Sequence, residues 1–196
     1  MNPRAARSRK KLGDALISIL LEQGSESSPS ITAVRKRAEV AHMTFYRHYS
    51  SVDELLTDAL GTTILDLAQL LREQETIYDE TVALFKFVQE HQDRFRVYVG
   101  LPETHPVREM FKEEVVKIVV ERWEARGAST VPMDVLVNHL VESTYAFLRW
   151  YLGHINDHTP EEVADFYYEL ILKDAESRTL TLRTDKHLHP PGRRED

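Results

Sequence analysis

The chain contains no cysteine. Disulfides, thiolate metal sites and cysteine nucleophiles are therefore excluded together. Glycine is scarce, with seven in 196 residues, and none sits in the Asn-Gly or Asp-Gly pairs that mark tight β-hairpins. No apolar run is long enough to span a bilayer. The N-terminal segment is basic but lacks the apolar core of a secretory signal, so a cytoplasmic location is expected. Three catalytic fingerprints are also missing: a Gly-rich phosphate loop, a Gly-x-Ser-x-Gly nucleophile elbow and the Gly-x-Gly-x-x-Gly dinucleotide turn. The expectation is a protein that is not an enzyme and needs no cofactor.

Histidine is plentiful, at nine, which raises the question of a metal. His139 with Glu142, His154 with His158, and His187 with His189 are close pairs. None belongs to a three-ligand set with metalloprotein spacing such as His-Glu-x-x-His. No metal site is expected.

What is present is helical periodicity and a sharp charge asymmetry. A hydrophobic share of 42% is ordinary for a globular chain and permits a sizeable core. Residues 1–50 hold nine Lys/Arg against four Asp/Glu, residues 51–196 sixteen against twenty-eight, and the whole carries −7. A basic head on an acidic body suits a small module that meets phosphates and a larger part that does not.

The spacing predicts a first helix over 5–23, with Leu12, Ala15, Leu16, Ile19 and Leu20 as its apolar stripe and Gly24 as its stop. Arg4, Arg7, Arg9, Lys10 and Lys11 form a basic arm before it, a candidate for lying along phosphates or in the minor groove. A second helix is predicted over 31–38 behind an N-cap at Ser30. A turn at Glu39, Val40 and Ala41 leads to a short third helix over 42–48. Ser51 and Glu54 form a capping box for a long fourth helix. Further helices are expected over 78–92, 93–100, 105–127, 132–155 and 160–176, the last opened by Thr159 and Pro160. The architecture is all-α. An N-terminal three-helix, helix-turn-helix domain at 1–50 is followed by a helical ligand-binding and dimerisation domain at 51–178, and then by a mobile polar tail at 179–196.

Two short helices joined by a tight turn are how a helix-turn-helix reads DNA, with the second helix in the major groove. Val34, Ala38, Val40 and Phe45 form the small core that fixes the pair. In the second helix Thr44, Arg47 and His48 fall near one face. Arg47 has the geometry to pair bidentately with guanine, Thr44 to touch a thymine methyl, and His42 and Met43 to reach base edges. Tyr46 and His48 suit phosphate oxygens. Ser30 and Thr32, at the head of the preceding helix, complete the candidate DNA contacts.

Residues 10–60 resemble the DNA-binding domain of TetR-family transcriptional regulators. The resemblance rests on the helix ending at Gly24, the Val34, Ala38, Val40 core spacing, the block Thr44-Phe45-Tyr46-Arg47-His48-Tyr49, and Asp53-Glu54-Leu55. It implies backbone contacts from Thr44, Tyr46 and His48, and base contacts from His42, Met43 and Arg47. The chain departs from the family pattern at several positions. Glu39 stands where Gly is frequent, Ala41 where Ser is, and Val52 where a phosphate-binding lysine is. Val34-Arg35 replaces an Ile-Ala pair, and Tyr49 replaces a closing Phe. Arg35, Lys36 and Arg37 are candidates to offset the lost lysine. The Thr-Phe-Tyr-x-His motif is similar to that of a subgroup typified by dihydroxyacetone-kinase regulators.

The resemblance also implies a homodimeric repressor, released from a near-palindromic operator by a small-molecule effector. The two helices nearest the C-terminus fit the family's dimer interface through Leu136, Leu140, Ser143, Phe147, Trp150 and Tyr151 on the first and Phe166, Tyr167 and Leu170 on the second. Phe95, Tyr98, Phe111, Trp123 and Tyr145, with Asn138 and Glu142 as polar partners, are candidates for an effector pocket. Phe85 and Phe87 are further candidates for the aromatic lining, and His91, His105 and Arg108 for its polar groups. A helical enzyme or a helical protein-interaction module are the alternative readings, and salt-dependent, saturable DNA binding separates them from a regulator.

Overall fold

A computed structural model describes residues 3–124 and 131–173. Every element among them is helical: α1 Pro3–Gln23, α2 Ile31–Arg37, α3 His42–His48, α4 Val52–Arg72, α5 Ile77–Glu90, α6 Gln92–Val99, α7 Pro106–Glu124, α8 Met133–Gly153 and α9 Pro160–Tyr167, which continues as a π-helical turn over Tyr168–Leu172. The polar tail at 179–196 lies outside the described residues.

The boundaries follow from local chemistry. Ser30, Ser51, Thr76 and Thr159 each accept a hydrogen bond from the backbone N–H three residues on, satisfying a donor that the first turn leaves orphaned. Thr159 and Glu162 close a full capping box behind Pro160. Gly24 ends α1 at φ +95°, a left-handed conformation that costs glycine little.

Helix α1 begins at Pro3, two residues before its predicted start, and ends at Gln23 as predicted. The basic residues from Arg4 to Lys11 lie within it, so they are not a separate arm. Ala5 and Ala6, with straight-chain Arg and Lys, are good helix formers, and propensity carries the helix past the point where burial begins. At the far end, α8 stops at Gly153 and the α-helical hydrogen bonding of α9 stops at Tyr167, short of the predicted limits.

The head packs as its spacing predicts. Val34, Ala38, Val40 and Phe45 are buried, in one cluster with Leu12, Leu16 and Leu20 of α1. Phe45 is fully enclosed. Truncating a side chain of that size and burial to Ala costs about 3–5 kcal/mol, enough to dislodge a seven-residue helix with no side-chain N-cap.

Helix α4 joins head and body. It packs on α1, α5 and α7. Gly61 leaves room for α7: a Cβ there would lie 2.8 Å from Met110 Cε. Helix α6 is a second bridge, packed on both α1 and α8. Arg94 on α6 pairs with Asp14 on α1 at 2.6 Å and donates to the Ala59 carbonyl on α4 at 2.8 Å.

Candidate nucleic-acid interface

The outward face of α3 is set by which side chains the core claims. Phe45 and Tyr49 are buried, and Thr44 and His48 are half-buried on the flanks. His42, Met43, Tyr46 and Arg47 are left exposed. Met43 is 72% exposed and Tyr46 50%, so these two stand at the centre of the face. The structure thus moves the face away from the Thr44, Arg47, His48 set that spacing alone selects, because i, i+3, i+4 geometry says which residues are neighbours but not which side the core takes. The His42 and Tyr46 rings meet edge-on, centroids 4.9 Å apart. Ser30 and Thr32 are exposed at the head of α2. The Ser30 hydroxyl oxygen is used as the cap for Ala33 N–H, which leaves its own proton free to donate.

Three departures from the family pattern have visible local consequences. Glu39 sits in the α2–α3 turn at φ +55°. Around it, Val40 N–H donates to Arg35 C=O at 3.0 Å and Glu39 N–H to Lys36 C=O at 3.2 Å. This is the pair of bonds that closes a helix on a left-handed residue, the position glycine favours. Ala41 is the N-cap of α3 and offers no side-chain acceptor. Val52 opens α4 and packs half-buried against the core.

Tyr49 shows the opposite: a departure with a gain. Its hydroxyl donates to Asp58 Oδ2 at 2.6 Å and accepts from Arg9 Nε at 3.2 Å. Arg9 and Asp58 are also ion-paired. Burial, and then the bond to Asp58, push the Tyr49 hydroxyl up to about 12. A phenylalanine would fill the same space without tying the end of α3 to α1 and α4 at once.

The cations around this face divide into committed and free. Arg9 is spent on Asp58 and Tyr49. Arg37 is spent on Glu22, with one bond at 2.9 Å, and on Ser18. Arg35 is half-buried, whereas Lys36 and Arg47 are exposed. Of the α2 triplet, Lys36 is therefore the cation available to a phosphate.

Among the described residues, the body contains an apolar cavity of about 110 Å³, walled by α4, α5, α7, α8 and the α9 segment. The aromatic residues that sequence spacing nominates for an effector pocket mostly lie elsewhere. Phe111 lines this cavity. Phe95 and Tyr98 are buried on α6 beside a void of only about 10 Å³, scarcely the space of one water. Tyr145 donates to the Val99 carbonyl at 2.6 Å and carries the Arg108 guanidinium 3.5 Å above its ring. Asn138 and Glu142 are exposed on α8, because the buried stripe of that helix runs through Leu136, Leu140 and Thr144. Phe85, Phe87, His91, His105 and Arg108 are likewise away from the cavity. The Trp123 side chain lies outside the described residues.

The nominated dimer residues also divide. Leu136, Leu140, Tyr151 and Tyr167 are buried within the subunit, and Leu140 and Tyr167 wall the cavity. An amphipathic stripe does not say whether its own domain or a second chain covers it, and here its own domain does. Ser143 and Phe147 are half-buried. Trp150, Phe166 and Leu170 remain exposed, Leu170 at 75%. Trp150 stacks on His154 and His158, with centroids at 5.1 and 5.7 Å. Among the described residues no group of three or more His, Asp or Glu side chains converges as a metal site, and no helix is long and apolar enough to cross a membrane.

Comparison with known proteins places the fold. A TetR transcriptional regulator from Streptococcus agalactiae superposes with a TM-score of 0.63 at 23% identity, covering 86% of this chain and 95% of that one. The fatty acid degradation regulator FadR from Bacillus halodurans gives 0.67 at 11%, covering 83% and 97%. A transcriptional regulator from Rhodococcus sp. Rha1 gives 0.60 at 21%, covering 85% and 96%. In sequence, an uncharacterized HTH-type transcriptional regulator from Haemophilus influenzae is 36% identical over 67 residues, which is 34% of this chain and 33% of that relative. The match thus spans about a third of the relative's length. No family model matches the chain.

Proposed function

We propose that this chain, built on the fold of TetR-family transcriptional regulators, is a DNA-binding transcriptional regulator that works as a homodimer and is released from its operator by a small molecule. The observation that carries the reading is the short helix α3. The core holds it by Phe45, it is tied to α1 and α4 through Tyr49, and it presents His42, Met43, Tyr46 and Arg47 outward. A seven-residue helix braced from behind and bare in front is what a major-groove reader needs.

Homodimerisation is supported by the exposed apolar surface of Trp150, Phe166 and Leu170 on the outer side of α8 and α9. Two such heads would read the half-sites of a near-palindrome. The effector site is the cavity of the body. Helix α4 supports this assignment, since its start carries Asp58 beneath Tyr49 and its later turns, through Ile64, Leu67 and Leu71, wall the cavity. A ligand that fits the cavity better in one α4 position than another shifts the head, provided its affinity for the released conformation is the greater.

The test is selection of fragmented source-genome DNA by purified protein at two salt concentrations, followed by footprinting of what is retained. A discrete two-fold-symmetric site that survives the higher salt is the expected result. Retention without any preferred sequence would overturn the regulator reading. On the selected site, Arg47→Ala is expected to cost about 1–3 kcal/mol and to relax preference at one base position. Leu170→Glu is expected to convert the dimer to monomer in sedimentation and to abolish two-half-site binding.

A further inference from the structure

Helix α6 is gripped by the body on one side and grips the head on the other. On the body side Phe95, Val97 and Tyr98 are buried, and Tyr145 of α8 donates to the Val99 carbonyl at 2.6 Å. The same α8 carries Trp150, exposed on the proposed dimer face. On the head side one guanidinium reaches two helices. Arg94 Nη2 meets Asp14 Oδ1 of α1 at 2.6 Å, and Arg94 Nη1 donates to the Ala59 carbonyl of α4 at 2.8 Å. The helices α1 and α4 already meet tightly at this level, since a Cβ on Gly13 would lie 3.2 Å from Ala59 Cβ. At the C-cap of α6, a Cβ on Gly100 would lie 2.5 Å from Ser25 Oγ, so the loop after α1 rests directly on the helix end. The N–H directions of a guanidinium are fixed relative to one another. Holding both partners therefore sets an angle as well as a distance.

We infer that Arg94 is a positioning residue for operator recognition: it fixes the angle of each head on its body, and so sets the half-site spacing that the dimer accepts. This role rests on the reading of the chain as a homodimeric DNA-binding regulator. Half-sites one helical turn apart are about 34–36 Å from centre to centre, so one inserted base pair moves the second by about 3.4 Å and turns it by about 35°. A head clamped to α6 cannot follow that movement, whereas a loosened head can.

The test uses the full chain in two ways. The sequence has no cysteine, so Met43→Cys gives each subunit a single spin-label position on the exposed face of α3. The distance distribution between the two labels of a dimer is expected to be narrow in the parent. It should broaden when Arg94→Met is added, and broaden less with Asp14→Asn, which removes only the ion pair. Without the label, binding is measured on the selected operator and on versions with one base pair added or removed at its centre. The parent is expected to lose at least ~10-fold in affinity on the altered spacings, and Arg94→Met no more than ~3-fold, with base preference inside each half-site unchanged. Circular dichroism reports whether Arg94→Met is folded; if it is not, Asp14→Asn decides by the same two readouts. An unchanged distance distribution with equal loss of affinity on every spacing would make Arg94 a stabilising residue only and overturn the inference. A parent that binds all spacings equally well overturns it too. A chain that sediments as a monomer removes the inference together with the dimer reading. Failure of the regulator reading shows separately, as the absence of any two-fold site in the operator selection.

Discussion

Tyr49 shows what one hydroxyl contributes. It lies between Arg9 and Asp58 as donor to one and acceptor from the other. Tyr49→Phe leaves Arg9 and Asp58 still paired, so the expected loss is that of net hydrogen bonding alone, about 1 kcal/mol in urea denaturation. Asp58→Ala should cost more, because it deprives both the guanidinium and the phenol of their acceptor. Equal losses would mean that the tyrosine, not the carboxylate, organises the group. Tyr151 is the contrasting case. Its side chain is fully buried and, among the described residues, its hydroxyl has no hydrogen-bond partner. Tyr151→Phe is therefore expected to be neutral or to stabilise by up to ~1 kcal/mol. The aromatic block that contains Tyr49 is legible in the sequence. Its partners are not, since Asp58 and Arg9 stand nine and forty positions away and only the crossing of α1 over α4 brings them together.

At the scale of elements, the turn between α2 and α3 is under local strain that the sequence can be altered to relieve. Glu39 holds a left-handed conformation with a side chain attached, at a cost of roughly 1–2 kcal/mol relative to glycine. Ala41 leaves the first turn of α3 without a side-chain acceptor, at a cost of about 0.5–2 kcal/mol relative to Ser. Glu39→Gly and Ala41→Ser are each expected to raise the midpoint of thermal unfolding. They stand two residues apart in one turn, so their sum need not be additive. A lowered midpoint for Glu39→Gly would show that the loss of unfolded-chain restriction outweighs the relief. Both positions are conspicuous in the sequence against the family pattern, and so are the caps at Ser30, Ser51 and Thr159. The π-helical end of the last helix is not, because apolar periodicity marks where a helix is buried rather than how its hydrogen bonds end.

For the whole molecule the question is how head and body are kept in register. Periodicity finds the helices of the body but cannot assign their stripes. Leu136, Leu140 and Tyr167 look like a partner's surface when each helix is read alone, and they become core and cavity wall once α5, α7 and α8 converge on them. Two tyrosines at that assembly's critical points share one property. Tyr49 joins the head to α4, and Tyr167 closes the cavity beneath Thr144. Burial, the leading cause in both cases, raises each hydroxyl from 10.0 to about 12. The fold thus holds these protons more tightly than the unfolded chain does. Stability is unaffected by them below pH 10 and declines as pH rises from about 10 through 12, where only the unfolded chain readily gives up the protons. Denaturation at a series of alkaline pH values should show that decline, with the tyrosinate absorbance of these two residues, read as the difference between the parent and each Tyr→Phe variant, rising together with the loss of helical circular dichroism rather than ahead of it. Tyr49→Phe should flatten the slope, and Tyr167→Phe should flatten it independently, since the two sites share no partner. Should the difference absorbance of Tyr49 and Tyr167 rise well before the helices melt, their hydroxyls are not held by Asp58 and Thr144 as described.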